Sequence, residues 1–417
     1  MSSAIWHPFT QHGLDEPIPL VDRAEGALLH LRGGATVVDA ISSWWVTTHG
    51  HCHPRIMAAI AEQAGKLDQL IFAGWTHEPA ETLAEGLRAI MPESLTRVFF
   101  SDSGSTSVEV ALKMALGYWA ARNEPRHRIV VMEHSYHGDT IGAMSVGARG
   151  VFNRTYEPLL FDVSAIPFPA PGFEQRTLDA LEDLCAKGDA AALIVEPLIL
   201  GAGGMLIYSP QILARMRDIC AHYGVLFIAD EVMTGWGRTG TLLACEQAGV
   251  VPDILCLSKG LTGGALPLAV TMASEPIFAA HWSTDRARMF FHSSSYTANP
   301  IACAAACANL AIWRDEPVAD RISALATRQA EKLTALSSYC HFDNARQIGT
   351  IVALDIKSQG AAGYLDQLAP QLMAFFRKRN VLLRPLGTTV YVMPPYCITA
   401  DQLGQVWDAI GEAVISF

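Results

Sequence analysis

The chain is poor in charged residues and has no cluster of basic ones. Of its 417 residues, 17% are Asp, Glu, Lys or Arg, and the formal net charge is −11. A nucleic-acid-binding surface needs Lys and Arg side chains grouped to contact phosphates. The composition therefore argues against nucleic acid as a partner. Half of the residues are hydrophobic, which predicts a large buried interior.

Long apolar runs are also missing. The mean hydropathy is +0.22, yet a membrane-spanning helix needs roughly 20 consecutive apolar residues. The most apolar segments, residues 191–200 and 301–313, are shorter, and Glu196 and Pro197 interrupt the first. We therefore expect no membrane contact, and we expect the apolar excess to be buried between the subunits of a homodimer. The first residues lack a basic stretch followed by an apolar one, which predicts no export signal.

Cysteine pairs are absent as well. The nine cysteines are scattered without a Cys-x-x-Cys pair, a distribution typical of a cytoplasmic protein with reduced thiols rather than a disulfide framework. One segment, His49-Gly50-His51-Cys52-His53, has the composition of a metal site. Residues so close in sequence do not easily converge on one ion, so we expect a polar turn and no metal.

The chain length predicts two interlocked domains. Short apolar runs alternate with helical patterns between residues 50 and 300, which indicates an α/β fold with a mostly parallel sheet flanked by helices. The predicted strands are residues 97–100, 128–132, 193–195, 225–229 and 254–257, and the predicted helices include residues 108–121 and 210–223.

The pattern changes after residue 299. A long helix over residues 301–337, strands near 349–355 and 381–384, and a final helix over 400–415 indicate a smaller α+β domain. We predict an N-terminal segment over residues 1–45 that joins this small domain, a large domain over residues 46–307, and the small domain over residues 308–417.

Small polar residues follow the first of these strands. Residues 101–106, SDSGST, open a helix for which we expect a capping box between Thr106 and Glu109. The free N–H groups of a helix N-terminus bind anions. Residues 101–106 therefore make a candidate phosphate site, although an ordinary helix cap explains the pattern equally well.

Two ionisable residues end later apolar strands. Asp230 lies at the carboxyl edge of the sheet, where α/β proteins bind ligands. It suits a protonated ring nitrogen, or a structural ion pair. Lys259 is either a buried amine with a lowered pKa, able to attack a carbonyl, or a side chain that reaches solvent.

An aromatic residue follows another strand. Tyr136 is placed to stack on a flat heterocycle, with Val232 on the opposite face of the ring. A phosphate site, an acid for a ring nitrogen, an amine for an aldehyde and a stacking ring together match pyridoxal 5'-phosphate and little else.

Longer motifs resemble a known family. Residues 228–240 (IADEVMTGWGRTG) and 252–264 (PDILCLSKGLTGG) are similar to the signature of class III aminotransferases, which are fold-type I enzymes that use pyridoxal phosphate. Further pieces resemble the members that aminate 8-amino-7-oxononanoate in biotin biosynthesis: SSWW at 42–45, DSGSTSVEVALKMALGYW at 102–119, SYHGDTIGAMSV at 135–146, EPLILGAGGM at 196–205 and MPPY at 393–396.

The resemblance implies catalytic roles for Lys259, Asp230 and Tyr136. Lys259 is expected to bind the cofactor covalently and to move the proton, and Asp230 to bind the ring nitrogen. The implied cofactor-binding residues are Gly104, Ser105, Tyr136, Asp230, Val232, Lys259, Ser294 and Ser295. The serines are expected to reach the phosphate of the partner subunit in a homodimer.

The resemblance also implies a substrate pocket. Trp44 and Trp45 would line it, and Arg384 would bind a substrate carboxylate. The implied substrate-binding residues are Phe9, Trp44, Trp45, Tyr136, Lys259, Ser293, Arg384 and Tyr391. The implied reaction transfers an amino group from S-adenosylmethionine to 8-amino-7-oxononanoate and yields 7,8-diaminononanoate.

Two departures from the family pattern leave the amino donor open. Members that use S-adenosylmethionine often carry a tyrosine where this chain has Phe9, and Gly-Pro-Thr where it has Ser293, Ser294 and Ser295. Both changes resemble relatives that take the amino group from lysine. A class III aminotransferase for another ω-amino acid or diamine, and a non-catalytic protein that binds pyridoxal phosphate, are the remaining alternatives.

Overall fold

A seven-stranded sheet forms the centre of the region that the sequence predicts as the large domain. The structure, a computed structural model, describes residues 4–336, 341–357 and 368–417. Within these residues the strands of the sheet lie in the spatial order Arg97–Ser101, Ala269–Ala273, Ile254–Leu257, Leu226–Asp230, Ala190–Val195, Arg128–Met132 and Ser164–Ile166. Only Ala269–Ala273 runs antiparallel to its neighbours. The predicted α/β fold with a mostly parallel sheet is confirmed.

The sheet is buried on both faces, which explains why its strands are continuously apolar. Alternate side chains of a strand point to opposite faces. In Leu226–Asp230, Phe227 and Ala229 belong to one hydrophobic cluster, and Leu226 and Ile228 belong to another.

The strand register brings the polar ends of several strands to one edge. Asp230 is paired with Cys256, three residues before Lys259. On the other side, Leu257 is paired with Val270, and Ser101 with Ala269. The segments that follow Ser101, Asp230 and Leu257 therefore leave the sheet side by side, as expected for a ligand site at the carboxyl ends of parallel strands.

Helices pack around the sheet and form much of the C-terminal part of the chain. The α-helices of the described residues are Pro54–Ala64, Glu78–Ile90, Gly104–Ala121, Ile141–Ser145, Glu174–Cys185, Pro210–Tyr223, Glu275–His281, Pro300–Asp315, Val318–Leu336, Leu368–Lys378 and Ala400–Ser416. Short 3-10 turns cover His12–Leu14, Arg154–Leu159, Ala244–Ala248, Lys259–Thr262 and Arg286–Arg288.

The helix after the first sheet strand begins earlier than predicted, and its capping differs. It starts at Gly104, and the capping box joins Ser103 to Thr106: each side chain accepts a hydrogen bond from the other residue's backbone N–H. The predicted box between Thr106 and Glu109 is wrong, because Glu109 lies a turn further along. Its carboxylate instead accepts hydrogen bonds from the Thr140 hydroxyl at 2.6 Å and the Gly142 N–H at 2.8 Å.

The predicted long helix after residue 300 is two helices. Pro300–Asp315 and Val318–Leu336 are separated at Glu316 and Pro317. Proline has no N–H to donate, and it disfavours helical geometry in the residue before it, so the chain turns here. The end of the prediction, residue 337, lies outside the described residues.

Strands from both ends of the chain pair in one small sheet. Its spatial order is Val21–Glu25, Leu28–Leu31, Thr36–Asp39 and Val381–Leu382, and Val38 pairs with Val381 in parallel. A second sheet contains Phe342–Ile348, Ile351–Ile356 and Thr389–Val392, and a hairpin joins Ile199–Leu200 to Leu206–Ile207. The predicted strand 381–384 stops at Leu382, and Pro385 follows Arg384.

Residues from both ends also share one hydrophobic cluster. Ala27, Val38 and Ile41 lie in the same cluster as Phe376 and Trp407. This packing agrees with an N-terminal segment that joins the small domain, and the exact domain boundaries stay a prediction. In the described part of the chain, no helix is both long and apolar enough to cross a membrane.

Candidate active site

Lys259 projects a buried amine into the edge of the sheet. It follows the strand Ile254–Leu257 and has a left-handed backbone with φ of 45°. Its Nζ lies 4.9 Å from the centre of the Trp45 ring. Burial lowers the pKa of Lys259 to about 8, against the opposing effect of the Asp230 and Glu196 carboxylates. Near neutral pH the neutral form of the amine, which a nucleophile requires, is therefore far more populated than in an exposed lysine.

Asp230 is a buried carboxylate held from two sides. One oxygen accepts a hydrogen bond from the Val232 N–H at 3.1 Å, and the other lies 2.7 Å from Nδ1 of His137. These contacts fix the plane of the carboxylate and leave lone pairs for a further donor.

Tyr136 lies on a segment that a second buried carboxylate fixes. The Tyr136 N–H donates to one oxygen of Glu196 and the Gly201 N–H donates to the other, both at 2.9 Å. Burial raises the pKa of Glu196 to about 7 and raises the pKa of Tyr136. Glu196 thus joins the Tyr136 segment to the turn of the hairpin between Ile199–Leu200 and Leu206–Ile207.

The helix N-terminus that begins at Gly104 packs directly on Val232. A Cβ atom at Gly104 would lie 2.6 Å from Cγ1 of Val232, so only glycine allows this approach. The Ser105 hydroxyl accepts a hydrogen bond from the Asp139 N–H at 3.2 Å. The Thr106 N–H is capped by Ser103, whereas the Gly104 and Ser105 N–H groups have no backbone acceptor within the helix, which leaves an anion-binding end beside the Asp230 loop.

The segment Ser42–Trp45 forms a left-handed turn. All four residues have positive φ, from 45° to 73°, a conformation that costs roughly 1–2 kcal/mol per residue for L-amino acids. Buried Asp39 holds this turn: one oxygen accepts from the Ile41 and Ser43 N–H groups, and the other accepts from the Ser43 hydroxyl. Backbone strain of this kind is concentrated at functional sites.

The turn sends its two indoles in different directions. Trp45 is buried next to Lys259, and its Nε1 donates to the Tyr391 hydroxyl at 3.0 Å. Trp44 is 39% exposed, and the Arg384 guanidinium lies 5.1 Å from its ring centre. The hydrogen bond to Tyr391 therefore fixes the buried Trp45 ring. Trp44 and Arg384 lie closer to solvent, at what we call the entrance to the site.

Aromatic rings continue this entrance. The ring centres of Phe9 and Trp44 are 5.3 Å apart, those of Phe9 and Phe152 are 6.2 Å apart, and those of Phe152 and Tyr136 are 6.5 Å apart. Arg384 donates to the carbonyl of Phe9 at 3.2 Å. A cleft of about 630 Å³, lined in part by Phe9 and Phe152, opens here. The structure thus brings the predicted substrate residues Phe9, Trp44 and Arg384 together.

The three consecutive serines lie away from these rings. The Ser294 hydroxyl donates to Asp102 at 2.5 Å, two residues before Gly104. The Ser293 hydroxyl donates to the Ser294 carbonyl, and the Ser295 carbonyl accepts from Gln69. Their expected contact with the phosphate of a partner subunit stays a prediction.

The histidines of the metal-like segment contact separate partners. His49 lies 2.8 Å from Oδ1 of Asn309, His51 lies 2.8 Å from Asp39, and His53 lies 3.8 Å from Glu316. In the ranges that the structure describes, no group of three or more His, Cys, Asp or Glu side chains is arranged to hold a metal ion.

The site fits the cofactor that the sequence suggests. Pyridoxal phosphate needs an amine for its aldehyde, an acid for its ring nitrogen, a surface for its ring and an anion site for its phosphate. Lys259, Asp230, Tyr136 with Val232, and the helix start at Gly104 and Ser105 offer these groups at one edge of the sheet.

Four residues at the site received no role from the sequence: Asp39, His137, Phe152 and Glu196. His137 and Glu196 lie within the family-like segments, so their polar character at buried positions was an available signal. Nothing in the sequence connects Asp39 to the turn after it, or Phe152 to Phe9, because these contacts depend on loop geometry.

Comparison with known proteins gives one consistent result. An adenosylmethionine-8-amino-7-oxononanoate aminotransferase of Synechococcus elongatus is 47% identical over 98% of this chain and 97% of its own length. An enzyme of the same name from Anoxybacillus flavithermus is 38% identical over 99% of this chain and 94% of its own length.

Solved structures agree with the fold. The crystal structure of adenosylmethionine-8-amino-7-oxononanoate aminotransferase from Methanocaldococcus jannaschii matches with a TM-score of 0.94 at 32% identity, over 99% of this chain and 97% of that one. A pyridoxal-phosphate-bound amine transaminase from an uncultivated Pseudomonas species matches with a TM-score of 0.92 at 31% identity, over 99% and 98% of the two chains. Since the family model described as aminotransferase class-III matches residues 9–414, the chain belongs to the class III aminotransferases.

Proposed function

We propose that this chain transfers an amino group from S-adenosylmethionine to 8-amino-7-oxononanoate and yields 7,8-diaminononanoate, with pyridoxal 5'-phosphate as its cofactor. The names of the relatives from Synechococcus elongatus and Anoxybacillus flavithermus, and of the Methanocaldococcus jannaschii structure, support this activity. The product is an intermediate of biotin biosynthesis, and we place the reaction in the cytoplasm.

The observation that carries the proposal is the buried amine of Lys259. Its Nζ lies against the Trp45 ring, beside the carboxylates of Asp230 and Glu196, with a pKa lowered to about 8. A lysine with only a structural role gains nothing from such burial, since removing an ammonium group from water is costly.

The residues of the chain divide the work of the reaction. When bound, pyridoxal phosphate supplies an aldehyde for amine exchange and a ring that accepts electrons from the substrate Cα–H bond. Asp230, fixed by Val232 and His137, keeps a proton on the ring nitrogen. With the cofactor and substrate bound, the amine of Lys259 would remove the proton from the substrate Cα and hold it for return during amino transfer. Trp45 excludes water from this amine.

The entrance provides groups for both substrates. Among the described residues, Arg384 donates a hydrogen bond to the Phe9 carbonyl through one nitrogen, so the rest of its guanidinium fork can bind a carboxylate. The exposed indole of Trp44 suits the sulfonium cation of S-adenosylmethionine through a cation–π contact.

Lysine as the amino donor is the second candidate. Phe9 has no hydroxyl, and its ring packs against Trp44 in a T-shaped arrangement, so the donor meets an apolar surface where a tyrosine would offer a hydrogen bond. This difference affects the donor alone, since Arg384 and Lys259 serve the acceptor and the amino transfer in either case.

A parallel assay separates the two donors. The purified chain is supplied with pyridoxal phosphate and 8-amino-7-oxononanoate, and with either S-adenosylmethionine or lysine, and diaminononanoate is measured. We expect product with S-adenosylmethionine. Product only with lysine would show that lysine, and not S-adenosylmethionine, is the amino donor. No product with either would contradict the proposed substrates. Arg384→Gln serves as a matched variant, in which we expect a higher KM for the acceptor.

We further propose that the chain acts as a homodimer in which Ser294 and Ser295 reach the partner's phosphate. Large apolar side chains are exposed near these serines: Phe291 is 64% exposed and Tyr296 is 63% exposed. Trp75 and Trp282 are 65% and 73% exposed. Such surface is typical of a subunit interface. Light scattering should give twice the chain mass of 45.1 kDa, and a monomeric active enzyme would contradict the dimer.

A further inference from the structure

The turn that carries Lys259 is held in an unfavourable backbone conformation. Lys259 has φ of 45°, and Gly263 and Gly264 have positive φ within the next five residues. The turn also packs tightly against the segment after Trp45: a Cβ atom at Gly264 would lie 2.5 Å from the Val46 carbonyl oxygen. A non-glycine residue keeps a left-handed conformation only when its surroundings impose it.

One buried side chain supplies hydrogen bonds to this turn. Both carbonyls that follow Lys259, those of Gly260 and Leu261, accept from Nδ2 of Asn309 at 3.0 Å. Asn309 lies on the helix Pro300–Asp315 and is completely buried. The Gly260 carbonyl also accepts from the Gly263 N–H at 2.9 Å, so the amide adds a second donor there and supplies a donor to the Leu261 carbonyl.

His49 fixes the orientation of that amide. Its Nε2 lies 2.8 Å from Oδ1 of Asn309. Since both N–H groups of Asn309 face carbonyl oxygens, its own oxygen faces His49, and Nε2 of His49 must carry the proton. His49 is itself buried, and burial lowers its pKa to about 4, so the ring is neutral and donates from Nε2 alone.

From this geometry we propose that Asn309, oriented by His49, is a positioning residue that keeps the Lys259 turn left-handed and aims Nζ at the cofactor aldehyde. The inference rests on the proposed function, in which Lys259 forms the covalent bond. In this proposal His49, the first histidine of the segment 49–53, orients Asn309. Trp45 contacts the side chain of Lys259. His49, four residues later, acts through Asn309 on the backbone of the Lys259 turn.

The contact is specific for a carboxamide. In Asn309→Asp the shape of the side chain is kept, but an oxygen faces the Gly260 and Leu261 carbonyls and both donated hydrogen bonds are lost. Gln329→Glu is a matched control on a different helix, Val318–Leu336: Gln329 is also completely buried, and its amide donates to the Thr350 carbonyl at 3.0 Å.

The test measures covalent capture of the cofactor. Full-length chains are mixed with pyridoxal phosphate over a pH series, reduced with borohydride, and the label on the Lys259 peptide is quantified over time. Amine and aldehyde condense with loss of water, and hydride reduction makes the bond permanent. We expect Asn309→Asp to capture the cofactor roughly ten- to hundredfold more slowly than the unaltered chain. The pH of half-maximal capture should rise above about 8, toward the ordinary lysine pKa, as the loosened turn admits water.

A purely structural role would not give this pattern. Gln329→Glu should capture at the unaltered rate even where its melting temperature falls as far as that of Asn309→Asp. If Asn309→Asp does not fold, the pair His49→Phe and His49→Gln decides: the first should slow capture, and the second, which retains an N–H donor, should restore it.

The outcomes separate this inference from the proposed function. Label absent from Lys259 in the unaltered chain would overturn the proposed function. Label on Lys259 in the unaltered chain, with the same rate and pH dependence in Asn309→Asp or with equal slowing in Gln329→Glu, would overturn only the positioning role.

Discussion

At the scale of single residues, Lys259 is kept partly neutral by its surroundings. Burial favours the neutral amine, whereas Asp230 and Glu196 favour the charged form, and the balance is a pKa of about 8. This pKa lies close enough to neutrality for the side chain both to attack a carbonyl and to accept a substrate proton.

A pH dependence of stability follows for the cofactor-free chain. Below about pH 8 Lys259 is charged in both the folded and the unfolded chain, so folding buries the charge at full cost. Between about 8 and the ordinary value of 10.5, only the unfolded chain stays protonated, and the cost disappears as pH rises. The unaltered chain should therefore gain about 3 kcal/mol relative to Lys259→Met over this range. Denaturant unfolding at several pH values measures the difference, and a flat or opposite slope would contradict the burial of the charge.

Asp230 allows a second prediction at this scale. Asp230→Asn keeps the contact with the Val232 N–H but removes the charge that holds a proton on the cofactor ring. We expect turnover to fall at least about a hundredfold, while borohydride still fixes the cofactor to Lys259. Steady-state assays with a parallel reduction experiment check both parts. Near-normal turnover would remove Asp230 from the mechanism.

At the scale of elements, the left-handed turn Ser42–Trp45 depends on one carboxylate. Asp39 accepts from two backbone N–H groups, from Ser43 and from the ring of His51 at 2.8 Å. These bonds offset the cost of the left-handed backbone and hold Trp45 against Lys259.

Asp39→Asn tests this dependence. An amide cannot accept all of these hydrogen bonds, so we expect a loss of about 1–3 kcal/mol in the free energy of unfolding and weaker shielding of Lys259. Asp189→Asn is the comparison, because Asp189 pairs with Arg128 in a partly exposed ion pair of the kind that contributes about 1 kcal/mol or less. Equal losses in the two variants would show that Asp39 has no special role in the turn.

Elements differ in how far the sequence predicts them. Asp230 and Lys259 were placed correctly because apolar runs mark the strands, and the residue after a buried strand lies at the sheet edge. The capping box at Thr106 and Glu109 was wrong because two overlapping patterns of small hydroxyl and acidic residues compete, and Ser103 lies closer to the strand end. Left-handed backbone at Ser42–Trp45 has no signal in residue type, since neither serine nor tryptophan favours it.

At the scale of the whole molecule, the site depends on contacts between distant parts of the chain. Trp45 belongs to the N-terminal region, Tyr391 to the C-terminal region, and Asn309 to the helix at the predicted domain boundary. Sequence periodicity predicts the strands and helices that carry these residues, but not the pairing of Val38 with Val381 that brings the two ends of the chain together.

The central claim is that Lys259 carries the cofactor and the proton during amino transfer. The most direct measurement is turnover of 8-amino-7-oxononanoate by Lys259→Ala at saturating pyridoxal phosphate, with the visible absorbance of the bound cofactor recorded on the same sample. We expect Lys259→Ala to fold but to show no detectable turnover and no absorbance band from a lysine–cofactor bond. Turnover retained by Lys259→Ala would contradict it.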